Sequence, residues 1–436
     1  MNVLLIGHAC GPGMGSEPGG TWNWAQHLSS EHRVWVITHP QFRSKVEAWM
    51  DQHPNPNLTF VWVDVESAWD PWRPAKGEKG IQVHYLMWLK VAYARGATLC
   101  RELDIDVAHH VSWGTLRAAP PIWTLPVPTV WGPVGGGQSA PFAFWRYFGR
   151  SFGQEVVRAL SSQALRFSRS FRRAAKTAAV VFVTNEESAR LLKRVPGARV
   201  EYLLDCGLPA DWMLKEAPGE RKSDVFRLLW VGRLEYRKAL LLALQALSKV
   251  HNVPVHLSVA GVGPLRRQLE LAAQELGVSD RIEFLGSVSY HDMPALFQNC
   301  DAFLFTSLRD SFGSVVLEAM AQGLPIVTLN HQGVGAFVPA EAGVKVPVTT
   351  PERTIQALSE AIETLGRSPS LCQSMRRAAL NFAKQQSWDR RAQQMIEIYR
   401  ERVARAERHS ATIDRTSTPT TAREAVSSLY GTSKSQ

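Results

Sequence analysis

No run of apolar residues in this chain approaches the roughly 20 that a membrane-crossing helix needs, so no transmembrane segment is expected. Cysteine is scarce. The five cysteines, at positions 10, 100, 206, 300 and 372, form no CxxC pair, which argues against a disulfide framework and a zinc site and leaves reduced, mostly buried thiols. The start, MNVLLIGHACGPGMG, lacks a basic leader region and passes from four apolar residues straight into glycines. It reads as a first β-strand and not as a signal peptide, which points to the cytoplasm. Repeats at a solenoid period are absent as well. Acid is missing locally: between 146 and 176 eight Arg or Lys residues face the single Glu155.

A chain of 436 residues exceeds one core, and its 45% hydrophobic content is that of a soluble globular protein. Short apolar runs alternate with helical patterns, as in open parallel sheets. In the first half these runs lie at 3–6, 34–37, 58–63, around 107–109, 129–131 and 180–183. In the second they lie at 227–232, 255–261, 281–286, 302–305 and 325–329. Between the sets, CGLPADWMLKEAPGERKSD (206–224) is rich in Pro, Gly and charge and reads as a linker. The expected organisation is therefore α/β, with domains at 1–205 and 225–386. An amphipathic helix over 387–407 should place Trp388, Ala392, Met395, Ile396 and Tyr399 on one face. Ser, Thr and charge dominate 408–436, a composition that predicts disorder.

The densest chemistry begins at VGRLEYRK (231–238). A strand ends in Gly232, and Arg233 and Lys238 follow around a helix start. Two cations and free helical N–H groups suit an anion such as a diphosphate. The next strand ends in AGVGPL (260–265), where Gly261 and Gly263 let backbone approach a ligand before a helix begins near Pro264. TSLRDSFGSVVLEAMAQGLPIV (306–327) then supplies a strand, a loop with Asp310, Ser311, Phe312 and Gly313, and a helix opening near Ser314 with Glu318 in its second turn. Carboxylates accept well from vicinal hydroxyls, so Glu318 suits a ribose and Asp310 a hexose.

The order GRLxxxK, GxGP, FLG (284–286), then an acid seven residues before LEAMAQGLP, resembles the donor domain of the family 4 retaining glycosyltransferases, which have the GT-B fold. The resemblance covers most of 225–330. It implies two facing Rossmann-like domains with an interdomain cleft, a nucleotide-sugar donor in the second and an acceptor in the first. It also implies that Arg233 and Lys238 hold the donor diphosphate, Glu318 the ribose and Asp310 the transferred sugar. The family usually carries Glu where this chain has Asp310, and Gly where it has Ala239.

In the first half, GPGMGSEPGGTWNWAQHL (11–28) joins the first strand to a helix, and Gly19 and Gly20 stand where the family keeps a glycine pair facing the donor phosphates. A dinucleotide fingerprint would need glycine where Ser16 stands, so an oxidoreductase is not indicated. WGPVGGGQSAP (131–141) resembles a segment of exopolysaccharide-type members and should line the cleft. His109 and His110 end a strand where the family often uses a histidine near the sugar. The bland alternative is a histidine hydrogen-bonded at a strand end. Asp104 and Asp106 form a DxD, read as incidental because Arg and Lys already supply positive charge. No metal or resident cofactor is expected.

The basic stretch 144–176 interleaves Phe and Trp with Arg. It fits a helix held against an anionic membrane surface, which would make the protein peripheral on the inner face, and it equally fits a solvated face packed on its domain. Nothing else in the chain supports nucleic acid as a partner. The expected activity is transfer of a sugar from a nucleotide-sugar donor to a glycan or lipid-linked acceptor hydroxyl. A GT-B sugar-nucleotide epimerase and a non-catalytic sugar-nucleotide or glycan-binding subunit are the alternatives.

Overall fold

The computed structural model describes residues 1–74, 77, 79–219 and 223–416. Among them, thirteen strands form two sheets. The first contains β1 (Asn2–Gly7), β2 (Arg33–Thr38), β3 (Leu58–Trp62), β4 (Val107–Ser112), β5 (Thr129–Val134), β6 (Val180–Val183) and β7 (Val200–Tyr202), in the order β3-β2-β1-β4-β5-β6-β7. The second contains β8 (Phe226–Val231), β9 (Val255–Ala260), β10 (Ile282–Gly286), β11 (Ala302–Phe305), β12 (Ile326–Leu329) and β13 (Gly343–Val346), in the order β10-β9-β8-β11-β12-β13. Every pairing is parallel.

Parallel strands covered by helices on both faces need no polar alternation, and β4, β5, β6, β11 and β12 are buried at every position. The eleven apolar runs read from the sequence are all strands. The two strands beyond them, β7 and β13, are short and lie at sheet edges, where half-exposed residues leave a weak apolar signal. Strand order reverses between β1 and β4 and between β8 and β11, so each sheet opens a crevice at the carboxyl ends of those strands.

The two domains exchange parts. Phe144 and Phe148, in the irregular helix Phe142–Ser151 that follows the first sheet's WGPVGGG stretch, are fully buried in the core of the second domain beside Leu240 and Leu244. Burial of two such rings stabilises the junction by roughly 1.5–3 kcal/mol each. In return, the last helix, Trp388–Thr416, comes back to the first domain. The face expected from the sequence, Trp388, Ala392, Met395, Ile396 and Tyr399, lies in the core against Val3, Leu5 and Trp24. That helix runs beyond 407 to Thr416, so the expectation of disorder from 408 is corrected there. Extending a packed helix adds one backbone hydrogen bond per residue without a new nucleus. Residues 417–436 lie outside the described residues.

Candidate functional site

The site is assembled from loops at the carboxyl ends of β8, β9, β11 and β12. After β8 the chain passes Gly232 and Arg233, makes the 3-10 turn Tyr236–Lys238, and enters the helix Leu240–Leu247 through Ala239. Ala239 holds the left-handed conformation with φ 49°, which explains why a glycine would be usual there. Gly261 and Gly263 are required by close approach. A Cβ on Gly261 would lie 1.9 Å from the Gly232 carbonyl oxygen, and one on Gly263 would lie 2.4 Å from that of Leu234. These two loops and the loop after β10 surround an open cavity of ≈ 510 Å³, lined by Gly232, Arg233, Gly261, Gly263, Ser287 and Met293. The helix of that second turn, Arg266–Glu275, starts two residues after Pro264.

Beside this cavity Lys238 forms an ion pair with Asp310. Arg237, which the sequence reading passed over, reaches the same carboxylate oxygen at 3.3 Å and pairs with Glu235 at 2.7 Å. Burial would raise the Asp310 carboxyl, but the charges of Lys238 and Arg237 outweigh it and hold Asp310 below the usual range. Arg233, by contrast, is exposed at the cavity rim and makes no ion pair with a described residue. The structure gives Lys238 a second cationic neighbour, Arg237, at the Asp310 carboxylate.

The Asp310 loop is tightly held. Its backbone N–H donates to the Gln332 side-chain oxygen at 2.7 Å, and Gln332 donates to the carbonyls of Ser139 at 3.1 Å and Leu308 at 3.2 Å. Gln332 itself sits at φ 53°, an uncommon conformation for a non-glycine residue that these three bonds maintain. His331 bonds the Ser307 carbonyl at 2.9 Å. The helix Ser314–Ala321 begins where expected, and Gly313 sits at φ 93°, where a Cβ would come within 2.8 Å of the Phe305 ring. Phe312 does not face the cleft: its side chain is fully buried against Phe337, so only its backbone is available to a ligand. Glu318 is pushed up to about 7 by burial, against the pull of a hydrogen bond from Ser314.

The first domain closes the other side. Ser311 accepts from the Gln138 amide at 3.3 Å, and a Cβ on Gly135 would come within 2.4 Å of the Ser311 oxygen, so WGPVGGGQ meets the second domain directly. Arg309 forms a bidentate pair with Glu155, its Nε 2.9 and 3.0 Å from the two carboxylate oxygens. Glu17, at the start of the helix Ser16–Leu28, accepts from the Gly114 N–H at 3.1 Å and is raised to about 7 by burial. Asp205, crowded by protein yet open to the cleft, is raised to about 6 by burial and then by the Asp310 charge. Neither carboxylate was singled out from sequence, because only the tertiary fold brings them to the cleft.

Two expectations in this domain are corrected. His109 and His110 are both fully buried on β4. His109 bonds the Tyr399 hydroxyl at 2.5 Å and the Gly132 carbonyl at 2.6 Å, and His110 lies 3.1 Å from the Tyr85 hydroxyl. A central strand roofed by helices on both faces turns both histidines into core, whichever way they point. Gly19 and Gly20 also divide. A Cβ on Gly19 would strike the Met14 carbonyl at 1.8 Å, so that glycine serves a tight turn, while Gly20 has open space beside it. The Asp106 carboxylate accepts the Asn2 N–H at 2.7 Å and the Asp104 carbonyl accepts from the Asn2 amide, at the sheet end opposite the cleft.

Comparisons with known proteins agree with this layout. Residues 215–382 match the family described as Glycosyl transferases group 1. A D-inositol 3-phosphate glycosyltransferase of Corynebacterium urealyticum is 31% identical over 243 residues, 52% of this chain and 56% of that protein. The chain spans less than three fifths of the length of the curated relatives it matches here. Among solved structures, sucrose-phosphate synthase of Thermosynechococcus elongatus superposes with a TM-score of 0.64 at 17% identity, covering 92% of this chain and 99% of that one. HepE of Anabaena, in complex with UDP and glucose, superposes with a TM-score of 0.59 at 16% identity, covering 92% and 100%. The chain thus has the two-domain GT-B fold, and its residues 215–382 match the Glycosyl transferases group 1 family.

Proposed function

We propose that this chain is a retaining glycosyltransferase of the family 4 type, moving a sugar from a nucleotide-diphosphate donor to an acceptor hydroxyl in exopolysaccharide or related glycan synthesis. The observation that carries the reading is the Lys238–Asp310 ion pair beside the glycine-lined cavity, at the point where strand order reverses. In the resting site the cation and the acid neutralise each other. A donor separates them: the diphosphate takes Lys238, Arg233 and the N–H groups at the start of Ser314–Ala321, and a sugar hydroxyl takes Asp310. Glu318 accepts from the ribose. Charge that develops on the leaving diphosphate meets fixed cations, the dominant catalytic contribution for such chemistry, so no metal is assigned. The leaving phosphate accepts the proton of the acceptor hydroxyl as the new bond forms on the face it vacates.

Similar proteins support the donor class: HepE of Anabaena binds UDP and UDP-glucose, and a putative colanic acid biosynthesis glycosyltransferase of Salmonella typhimurium supports a role in polysaccharide assembly. No helix among the described residues is long and apolar enough to cross a membrane. Exposed Phe142, Phe152, Val157, Leu160 and Phe167 lie among the arginines of 144–176 and support peripheral contact with an anionic lipid surface from the cytoplasmic side. The epimerase alternative loses its histidines, since His109 and His110 are core.

A thermal-shift screen against nucleoside diphosphates and their sugars tests the reading. One nucleoside diphosphate should raise the melting temperature, and Lys238→Ala should reduce the shift at the same ligand concentration. Stabilisation by none of them, or an equal shift in the variant, overturns it.

A further inference from the structure

Behind Asp310, on the side of the first domain, the structure gathers more positive charge than the donor requires. Arg309 is the neighbour of Asp310, and Arg237 pairs with it. Arg117 comes from the turn after β4 and Arg158 from the helix Phe152–Ala164. The carboxylates in reach are already engaged: Glu155 is held bidentately by Arg309, Glu235 by Arg237, and Asp310 by Lys238 and Arg237. Arg117 and Arg158 form no ion pair with a described residue. Arg117 donates to the Ser161 hydroxyl, and the buried Nε of Arg158 has no hydrogen-bond partner. Burial first, then the charges of Arg309 and Arg117, lower Arg158 to about 10, which leaves it cationic at neutral pH among like charges. Glu155 lies within electrostatic reach of both but is already held bidentately by Arg309, and two half-enclosed guanidiniums that share one engaged counter-charge are unfavourable in a bare site and favourable in one built to receive an anion.

We infer that Arg117, Arg158 and Arg309 form a second anion site, distinct from the donor cradle, which receives a phosphate group carried by the acceptor. This rests on the transferase reading, because the first domain is where an acceptor would lie. Arg117 and Arg158 both belong to that domain, and Glu155 on the same helix as Arg158 fixes Arg309 across the cleft. The surplus of two charges matches a phosphate ester, which carries about −1.5 to −2, better than a single carboxylate. The helix that supplies Arg158 has a second face: Val157 and Leu160, each 66% exposed, point outward, while Ser162 is buried and donates to the Gly136 carbonyl at 3.2 Å. A phosphate held beneath this helix can therefore belong either to a soluble phosphorylated acceptor or to a lipid whose chains lie over the outer face.

Equilibrium dialysis with labelled inorganic phosphate tests the site. Phosphate binding should survive Lys238→Ala, fall about tenfold or more in Arg117→Gln/Arg158→Gln, and return to within about threefold of wild type in Arg117→Lys/Arg158→Lys. The Gln variant should keep its nucleoside diphosphate shift. No phosphate binding by the wild type, or binding lost in Lys238→Ala and kept in the Gln variant, overturns the inference. Phosphate binding that survives Lys238→Ala still stands if the Gln variant fails to fold. Absence of any nucleoside diphosphate shift beside an intact phosphate site would refute the donor reading alone. Sedimentation with phosphatidic acid vesicles separates the sources. Binding that the Gln variant loses and free phosphate competes away identifies a lipid headgroup, and binding no stronger than to phosphatidylcholine identifies a soluble phosphorylated acceptor.

Discussion

Lys238 and Asp310 bind each other across 72 residues of chain, joining the turn after β8 to the loop after β11. In the proposed reading, a cation for the diphosphate and an acid for the sugar hold one another until a donor arrives. The two members should respond differently to substitution. Lys238→Ala removes charge-assisted bonds worth about 1.5–3 kcal/mol, a loss of roughly 10–100-fold in nucleoside diphosphate affinity by calorimetry. Asp310→Asn frees Lys238, so the same affinity is unchanged or higher while kcat/KM with the nucleotide sugar falls by about tenfold or more. A loss of nucleoside diphosphate binding in Asp310→Asn would show that the pair is not a resting state.

Glu318 gives the site a pH signature. The folded chain keeps the Glu318 proton up to about 7, whereas an unfolded chain releases it near the ordinary value of roughly 4.3. Across that window the folded state binds more protons, so this group makes stability fall as pH rises. Glu17, at about 7, and Asp205, at about 6, act in the same sense. His8, His109 and His110, lowered by burial to about 3, 4 and 3, oppose this below about pH 6.5, so the carboxylate contribution is read by difference: from pH 8 to pH 5 the urea midpoint of the wild type should rise relative to that of Glu17→Gln. Ribose hydroxyls prefer the ionised Glu318, so nucleoside diphosphate affinity should increase from pH 6 to 8, and Glu318→Gln should flatten that increase.

Gln332 holds Asp310 from a left-handed backbone. Removing its side chain leaves the Asp310 N–H and two carbonyls without partners, a loss of about 1–3 kcal/mol. Gln332→Ala keeps the positive φ, while Gln332→Gly relieves it. The glycine variant should therefore be more stable than the alanine variant by about 1 kcal/mol in urea unfolding, although both lose turnover. Equal stability would mean that the backbone there stores no strain.

His109 separates structure from chemistry. Its two bonds, to Tyr399 and Gly132, tie the last helix and β5 to β4. His109→Ala should cost about 2–4 kcal/mol through lost bonds and a cavity, yet leave KM for the nucleotide sugar within about twofold in the protein that remains folded. A large rise in KM at unchanged stability would return His109 to the cleft.

The turns and helix starts of the second domain were legible because their signals are local. A strand end, a glycine turn and a helix start lie within a few residues, and Gly261, Gly263 and Glu318 fall where that reading put them. Arg237 was missed beside Lys238 because their shared partner, Asp310, lies far along the chain and only the fold brings it to this turn. The histidines were misplaced because strand position was read without sheet position: β4 is central, and its buried faces admit no ligand. Glu17, Asp205, Glu155 and the unpaired Arg158 depend on contacts between segments far apart in sequence, and no periodicity encodes those.

The return of Trp388–Thr416 to the first domain has a consequence for biosynthesis. Trp388, Ala392, Met395, Ile396 and Tyr399 cover Val3, Leu5 and Trp24, residues that are synthesised long before them. Their cover emerges only after the whole second domain, roughly 20–80 seconds later at typical elongation rates. During that interval the nascent first domain carries an open apolar face, a binding surface for chaperones that closes when the final helix docks.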